Sequence, residues 1–186
     1  VLVGIEGSEH DKSYVLVIFP DMTHGLDPVH LRHPEVRYEV TDHCNAECIM
    51  CPRDTHKLGR PHGIMSMEKY KKSIDEVAKL GCKQVVLTSF GEPLIDKRLE
   101  EKVAYAKSYG MRTYIISNAS LLTRERTMGL IKAGLDEIRI SYYGMTKASY
   151  EKVMVGLDFD VTMANLETFL SVRDELGSKR PRLELS

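Results

Sequence analysis

The chain has 186 residues, 26 Lys plus Arg against 27 Asp plus Glu, and a formal net charge of −1. A chain this long buries about 70% of its unfolded surface as one domain, and 42% hydrophobic with 28% charged residues excludes wholesale disorder. The charge balance gives no case for nucleic acid, no run approaches the ~18 apolar residues of a membrane helix, and four cysteines are too few for a disulfide-rich scaffold.

Val1–Ile5 and Tyr14–Phe19 are short β-rich runs around a turn-like Glu6–Ser13, which predicts an N-terminal hairpin. A linker from Pro20 to Pro34 follows, so the organisation reads as a hairpin and linker over 1–34 and a core over 35–186. No basic segment precedes an apolar one at the start, so no secretory signal is expected. Val36–Thr41 alternates as a strand does, and a long loop then carries Cys44 to Met65. Ser66 caps a helix with Met67, Tyr70, Ile74, Val77 and Ala78 at helical spacing, ended by Gly81. Gln84–Ser89 is the second core strand, and Asp96 is expected to cap a helix that ends at Gly110. Arg112–Ser117 is the third strand, Thr123 to Gly134 bounds the next helix, and Glu137–Ser141 is the fourth strand. Helices over Lys147–Met154 and Met163–Leu176 lead to Arg182–Ser186, which reads as the opening of a fifth strand and suggests a fragment of a longer protein. Strands alternating with helices predict an α/β fold with a parallel sheet, whose functional loops follow the C-terminal ends of the strands.

The loop after the first core strand holds Cys44, Cys48 and Cys51, three of the four cysteines within eight residues. Thiolates at this spacing can converge on one metal centre. On an iron–sulfur cube, three thiolates leave one iron open to chemistry. Two other readings stand on spacing alone: a zinc module, with His43 or His56 as fourth ligand, and a thiol redox protein using Cys48 and Cys51. Cys82, at the opposite end of a strand, reads as structural.

A C-x3-C-x2-C loop after the first strand of an α/β sheet resembles the signature of the radical S-adenosylmethionine (radical SAM) enzymes. Phe90-Gly91-Glu92-Pro93 after the second strand is similar to that family's Gly-Gly-Glu-Pro motif, with Phe90 in place of the first glycine. Ser117-Asn118-Ala119 stands where the family often has Thr-Asn-Gly, and Ser141 ends the fourth strand as a serine often does there. The resemblance runs from about Val36 to Ser186.

That resemblance implies a partial (β/α)6 TIM-like barrel of parallel strands, incomplete within its fifth strand, with the N-terminal β-hairpin added. It implies that Cys44, Cys48 and Cys51 ligate three irons of a [4Fe-4S] cluster and that S-adenosyl-L-methionine chelates the fourth. Met50 would lie near the adenine. Gly91, Glu92 and Pro93 would line the methionine end, Glu92 accepting from its ammonium group. Ser117, Asn118 and Ser141 would bond ribose or carboxylate. Reductive cleavage of SAM would give a 5′-deoxyadenosyl radical that takes hydrogen from a peptide or small molecule; no protein acid or base is assigned. Flavodoxin or ferredoxin is the expected electron donor, a reducing cytoplasm the expected setting, and an auxiliary-cluster extension of the peptide-modifying kind the expected branch. A glycyl-radical activating enzyme is the rival within the family. His56, Lys57, Arg60 and His62 read as a solvated loop, Arg53 as nearer the site, and Tyr142 and Tyr143 as facing either the barrel interior or substrate.

Overall fold

A computed structural model describes residues 2–4, 14–18, 35–55 and 62–186. The described strands are β1 (Leu2–Gly4), β2 (Tyr14–Ile18), β3 (Glu35–Tyr38), β4 (Gln84–Leu87), β5 (Arg112–Ser117), β6 (Glu137–Ile140) and β7 (Arg182–Leu185). The helices are α1 (Pro52–Thr55), α2 (Met67–Lys79), α3 (Leu99–Ser108), α4 (Arg124–Ala133), α5 (Lys147–Val153) and α6 (Phe159–Glu175). All seven strands form one sheet in sequence order. β1 and β2 pair antiparallel, β2 pairs antiparallel with β3 through Val15↔Tyr38 and Val17↔Val36, and β3 to β7 run parallel. The expected hairpin therefore extends the same sheet. Its turn and the Pro20–Pro34 linker lie outside the described residues.

The helices form where local chemistry favours them. Ser66 Oγ accepts from the Lys69 amide at the start of α2, whose Met67, Tyr70, Ile74 and Val77 are buried. Thr123 Oγ1 does the same for Arg126 at α4, and Gly134 ends that helix at φ 85°, a backbone angle that suits glycine. Two expected helix starts move. Asp96 does not cap α3, which begins at Leu99 behind Arg98 with no side-chain cap. The Asp96 carboxylate instead accepts from the Arg98 amide (2.8 Å) and pairs with buried Lys102, whose Nζ also donates to the Met65 carbonyl (2.6 Å). α6 begins at Phe159 rather than Met163, because Asp158 accepts from the Val161 amide. β3 stops at Tyr38, and the chain beyond it pairs with the far end of its own long loop: Met65 N donates to Val40 O, and Thr41 bridges Ile64.

The two faces of the parallel sheet differ. Val36, Tyr38, Val85, Leu87, Ile115, Ile138 and Ile140 are fully buried, or nearly so, in one cluster with Ile74, Leu99, Leu130 and Phe169 of the helices. By the period of two, the other face carries Arg37, Val86, Tyr114, Glu137, Arg139 and Glu184. Arg139 stacks on the Tyr114 ring (5.4 Å) and pairs with Glu184 (3.3 Å). A closed eight-stranded barrel fills its interior with branched apolar side chains; this face is charged instead.

Asp136, 3% exposed, ties the lower edge together. It pairs with Lys107 (2.6 Å) and with Arg180, and accepts from the Thr113 amide (2.9 Å). Burial raises its pKa, but Lys107, the Thr113 amide and Arg180 outweigh that, so the carboxyl sits below its usual range. Glu137 is likewise held low by Arg182 and Arg112 against its burial. A folded-state pKa below the unfolded one contributes stability above the unfolded pKa that is lost as pH falls. Urea midpoints should therefore drop below about pH 4, and Asp136→Asn should cost about 2 kcal/mol near neutral pH and flatten that acid limb.

Candidate metal and cofactor site

The loop between β3 and α1 brings Cys44, Cys48 and Cys51 to the C-terminal edge of the sheet, each partly buried. Its base is held by Asp42, which is buried and accepts from the Gly63 amide (2.8 Å) with His62 Nδ1 3.2 Å away. The loop itself is held by backbone bonds to the exit of α5, Glu47 N to Val155 O (2.8 Å) and Ile49 N to Val153 O (3.1 Å). Ala46 packs into a small cluster with Tyr150, Met154 and Leu157. Cys48 Sγ lies 3.5 Å from Met154 Sδ, and Arg53 Nη2 donates to the Ala46 carbonyl (3.0 Å). Arg53 thus braces the loop from within.

Gly91 presses the next strand end onto this loop. A Cβ there would lie 2.7 Å from the His43 carbonyl and run into that of Thr41, both backbone atoms. The Glu92 amide donates to the same His43 carbonyl (2.9 Å). The Glu92 side chain, 2% exposed, then reaches the third strand end. Its Oε1 accepts from Ser117 Oγ (2.8 Å) and the Leu94 amide (3.0 Å), and its Oε2 from the Asn118 amide (2.7 Å). Burial pushes its pKa up, and those three donors pull it back only in part. Asn118 Nδ2 donates to Asn45 Oδ1 (3.0 Å), which returns the network to the cysteine loop. Asn45 Nδ2 donates to Ser120 Oγ (2.8 Å), and Ser120 donates to Asn118 Oδ1.

The sequence-expected residues thus fall in two groups. Gly91, Glu92, Pro93, Ser117 and Asn118 converge with the cysteine loop, but the Glu92 side chain is taken up by Ser117 Oγ and the Asn118 and Leu94 amides, and the Asn118 side chain by Asn45 and Ser120. Ser141 is joined to this edge through its amide, which donates to Ser117 O (2.9 Å). Met50 is 49% exposed, so core packing does not explain it, and Phe90 beside Gly91 is also exposed. Tyr142 stacks on Tyr150 (5.5 Å) and Phe159 (6.3 Å), whereas Tyr143 is exposed. Cys82 is buried at the opposite end of β4, with Sγ on the Gln84 carbonyl (3.2 Å). His56, Lys57 and Arg60 lie outside the described residues.

Sequence reasoning missed Asn45, Ser120, Asn165, Tyr150 and Met154. Asn45 lies inside the cysteine motif, where only the cysteines signal chemistry. Ala119 holds φ 61°, a left-handed angle that costs an L-residue about 1 kcal/mol. Asn165 Nδ2 fixes it by donating to the Ala119 (3.0 Å) and Ser120 (2.9 Å) carbonyls. The glycine expected third in that turn relieves the same angle.

The donor set separates the metal readings. One tetrahedral zinc ion needs its sulfurs about 3.8 Å apart, given a Zn–S bond near 2.3 Å. Among the described residues, no three Cys, His, Asp or Glu side chains are grouped tightly enough to hold one ion. His43 instead packs its ring on His62 (5.7 Å). Three thiols in one loop match the number of protein ligands that a cube with one open iron takes. Burial raises the pKa of Cys44, and burial with the charges of Cys44 and Cys51 raises that of Cys48. Soft, three-fold thiol donation fits a [4Fe-4S] cluster.

The clamp is testable without any cofactor. Gly91→Ala should lose more than about 2 kcal/mol in urea unfolding, because two carbonyls must move. Gly63→Ala, where nothing lies within 4 Å of the added Cβ, should stay close to wild type. Glu92→Gln turns one acceptor into a donor facing donors and should lose about 1–3 kcal/mol.

A profile described as the Radical SAM superfamily matches residues 38–174. The chain is 35% identical over 118 residues to a PqqA peptide cyclase of Bradyrhizobium diazoefficiens, covering 63% of this chain and 30% of that one. It is 28% identical over 174 residues to an Fe-coproporphyrin III synthase of Methanosarcina barkeri, covering 82% of this chain and 43% of that one. Its fold is similar to BtrN, solved in complex with AdoMet and 2-DOIA, with TM-score 0.53, 24% identity, and coverage of 68% of this chain and 52% of that one. The chain thus spans less than half the length of these two curated relatives. With the profile covering most of the chain, over the same strand ends that carry the cysteines and the Glu92 clamp, the protein belongs to the Radical SAM superfamily, whose cofactors are a [4Fe-4S] cluster and S-adenosylmethionine.

Proposed function

We propose that the chain is the core of a radical SAM enzyme, with Cys44, Cys48 and Cys51 as the three protein ligands of the cluster. The observation that carries this is the three-thiol loop locked by Gly91 and Glu92 to the next two strand ends. When bound, the cluster supplies the electron that opens the SAM sulfonium and yields a 5′-deoxyadenosyl radical for hydrogen abstraction from substrate.

The residues of this chain hold and orient. Gly91 and Pro93 offer main chain to the methionine end of SAM, which the tight approach of their turn to the cysteine loop supports. Glu92 keeps three loops in register through its carboxylate and its own amide, so its effect on the methionine ammonium is exerted mainly through position and buried negative charge. Met50, exposed beside Cys51, is the proposed cover for the adenine. Ser141 is the candidate for a direct polar contact to SAM, while Ser117 and Asn118 act chiefly through the turn they stabilise. Tyr150, Met154 and Ala46 exclude water from behind the cysteine loop.

The peptide-cyclase relative supports a peptide substrate, and the charged inner face of the sheet supports a polar one. A flavodoxin or ferredoxin is the proposed electron donor and a reducing cytoplasm the proposed setting. No helix among the described residues is long and apolar enough to cross a membrane. The division into a hairpin and linker over 1–34 and a core over 35–186 is proposed as the domain organisation.

The test is anaerobic reconstitution with iron and sulfide, followed by iron analysis and EPR with and without SAM. About four irons per chain are expected, with a reduced-cluster signal that shifts when SAM is added. Cys44→Ala should lose the cluster while keeping the wild-type circular dichroism. Stoichiometric zinc in place of iron, or a Cys44→Ala protein that binds iron as wild type does, would overturn the reading.

A further inference from the structure

Opposite the cysteine loop, at the N-terminal edge of the parallel strands, lies a cavity of about 670 Å³. Lys107 and Gly110 from the end of α3, Arg112 at the start of β5, Asp136 just before β6, and Lys179, Arg180 and Arg182 around the start of β7 line it. Strands of four to six residues separate this edge from the proposed cluster by about 15 Å. The volume falls within the range of small-molecule sites.

The charge inside is unbalanced. Five cationic side chains face it. Two buried carboxylates answer them, and each is already shared: Asp136 between Lys107 and Arg180, and Glu137 between Arg112 and Arg182. Glu184, 3.6 Å from Arg182, is shared with Arg139. Lys179 has no ion-pair partner among the described residues. Arg112, Arg180 and Arg182 are each more than half exposed in their side chains. A guanidinium carries five N–H donors and spends one or two on a carboxylate, so these arginines keep donors for a ligand.

Asp136 and Glu137 orient these guanidinium groups from below, as an outer shell orients ligands in a built site. Asp136 is itself held by the Thr113 amide and by Thr113 Oγ1 (3.3 Å), so its position is set by the sheet. Planar arginine forks held in this way match phosphate oxygens in bidentate geometry.

We propose that this cavity binds a small diphosphate-bearing anion. Five cations against the two buried carboxylates leave an excess of three positive charges, more than one phosphate of about −2 neutralises and closer to the charge of two linked phosphates. A nucleic-acid polyanion is disfavoured, because the chain's net charge is −1 and the cation excess here is confined to one concave site. The proposal is independent of the cluster at the other edge.

The test is isothermal titration with inorganic pyrophosphate at constant ionic strength, with orthophosphate and citrate as comparators. The expected result is saturable one-to-one binding at submillimolar pyrophosphate, with orthophosphate at least tenfold weaker. Lys179→Gln, which breaks no ion pair, should weaken binding several-fold, and Lys179→Gln with Arg180→Gln at least tenfold. Arg124→Gln, at a paired arginine that does not line the cavity, should bind as wild type. Circular dichroism and urea midpoints confirm that each variant is folded. Absence of saturable binding at millimolar pyrophosphate, equal affinity for citrate, or unchanged affinity in the folded Lys179→Gln protein would each overturn the proposal.

Discussion

The Glu92 carboxylate is the group on which the functional edge of this protein depends. It is buried in a place where a charge is costly, and it is tolerated because three donors meet it there, two from the end of β5 and one from its own turn. Removing the carboxylate would leave the Asn118 amide and the Ser117 hydroxyl proton without their acceptor. Because its own backbone is bonded to His43, one residue joins the loops after β3, β4 and β5. The cysteine loop has little secondary structure, and this clamp with the α5 exit gives it shape.

The arrangement divides labour between chemistry and position. The thiols, Met50 and Phe90 are left partly or largely open, whereas Glu92, Ser117 and Asn118 are closed off from water. Asn45, Asn118 and Ser120 complete a ring of side-chain hydrogen bonds, and Asn165 of α6 pins the strained Ala119 beneath it. Strain of this kind persists where its surroundings over-determine it, and such places tend to be functional. The contact of Cys48 with Met154 adds a soft, apolar wall behind the loop.

The opposite edge works by the same physics with the signs reversed. There Asp136 and Glu137 are buried carboxylates whose partners are side-chain cations rather than amides and hydroxyls alone. Their pKa values fall where that of Glu92 rises, because full positive charges outweigh burial and neutral donors do not. The sheet thus carries a buried acid at each edge: one organises loops around thiols, and the other organises arginines around an open cavity.

Much of this was legible in the residues in order. Alternation of β-branched runs with capped helices determined the parallel α/β core, and Ser66, Thr123 and Gly134 placed their helix ends because capping is local chemistry. The cysteine spacing and Gly91-Glu92-Pro93 marked the functional edge for the same reason: ligand type and turn chemistry are written in a few adjacent residues. Helix starts at Asp96 and Met163 were misplaced, since Asp96 was drawn into a buried pair with Lys102 and Asp158 offered an earlier cap. Only the tertiary structure decided that Glu92 spends its charge on Ser117 and Asn118, that Asn45 closes the ring, and that five cations meet at the lower edge. Those pairings join residues about 25 to 75 positions apart, and no local pattern records which distant donor a carboxylate will meet once the strands are laid side by side.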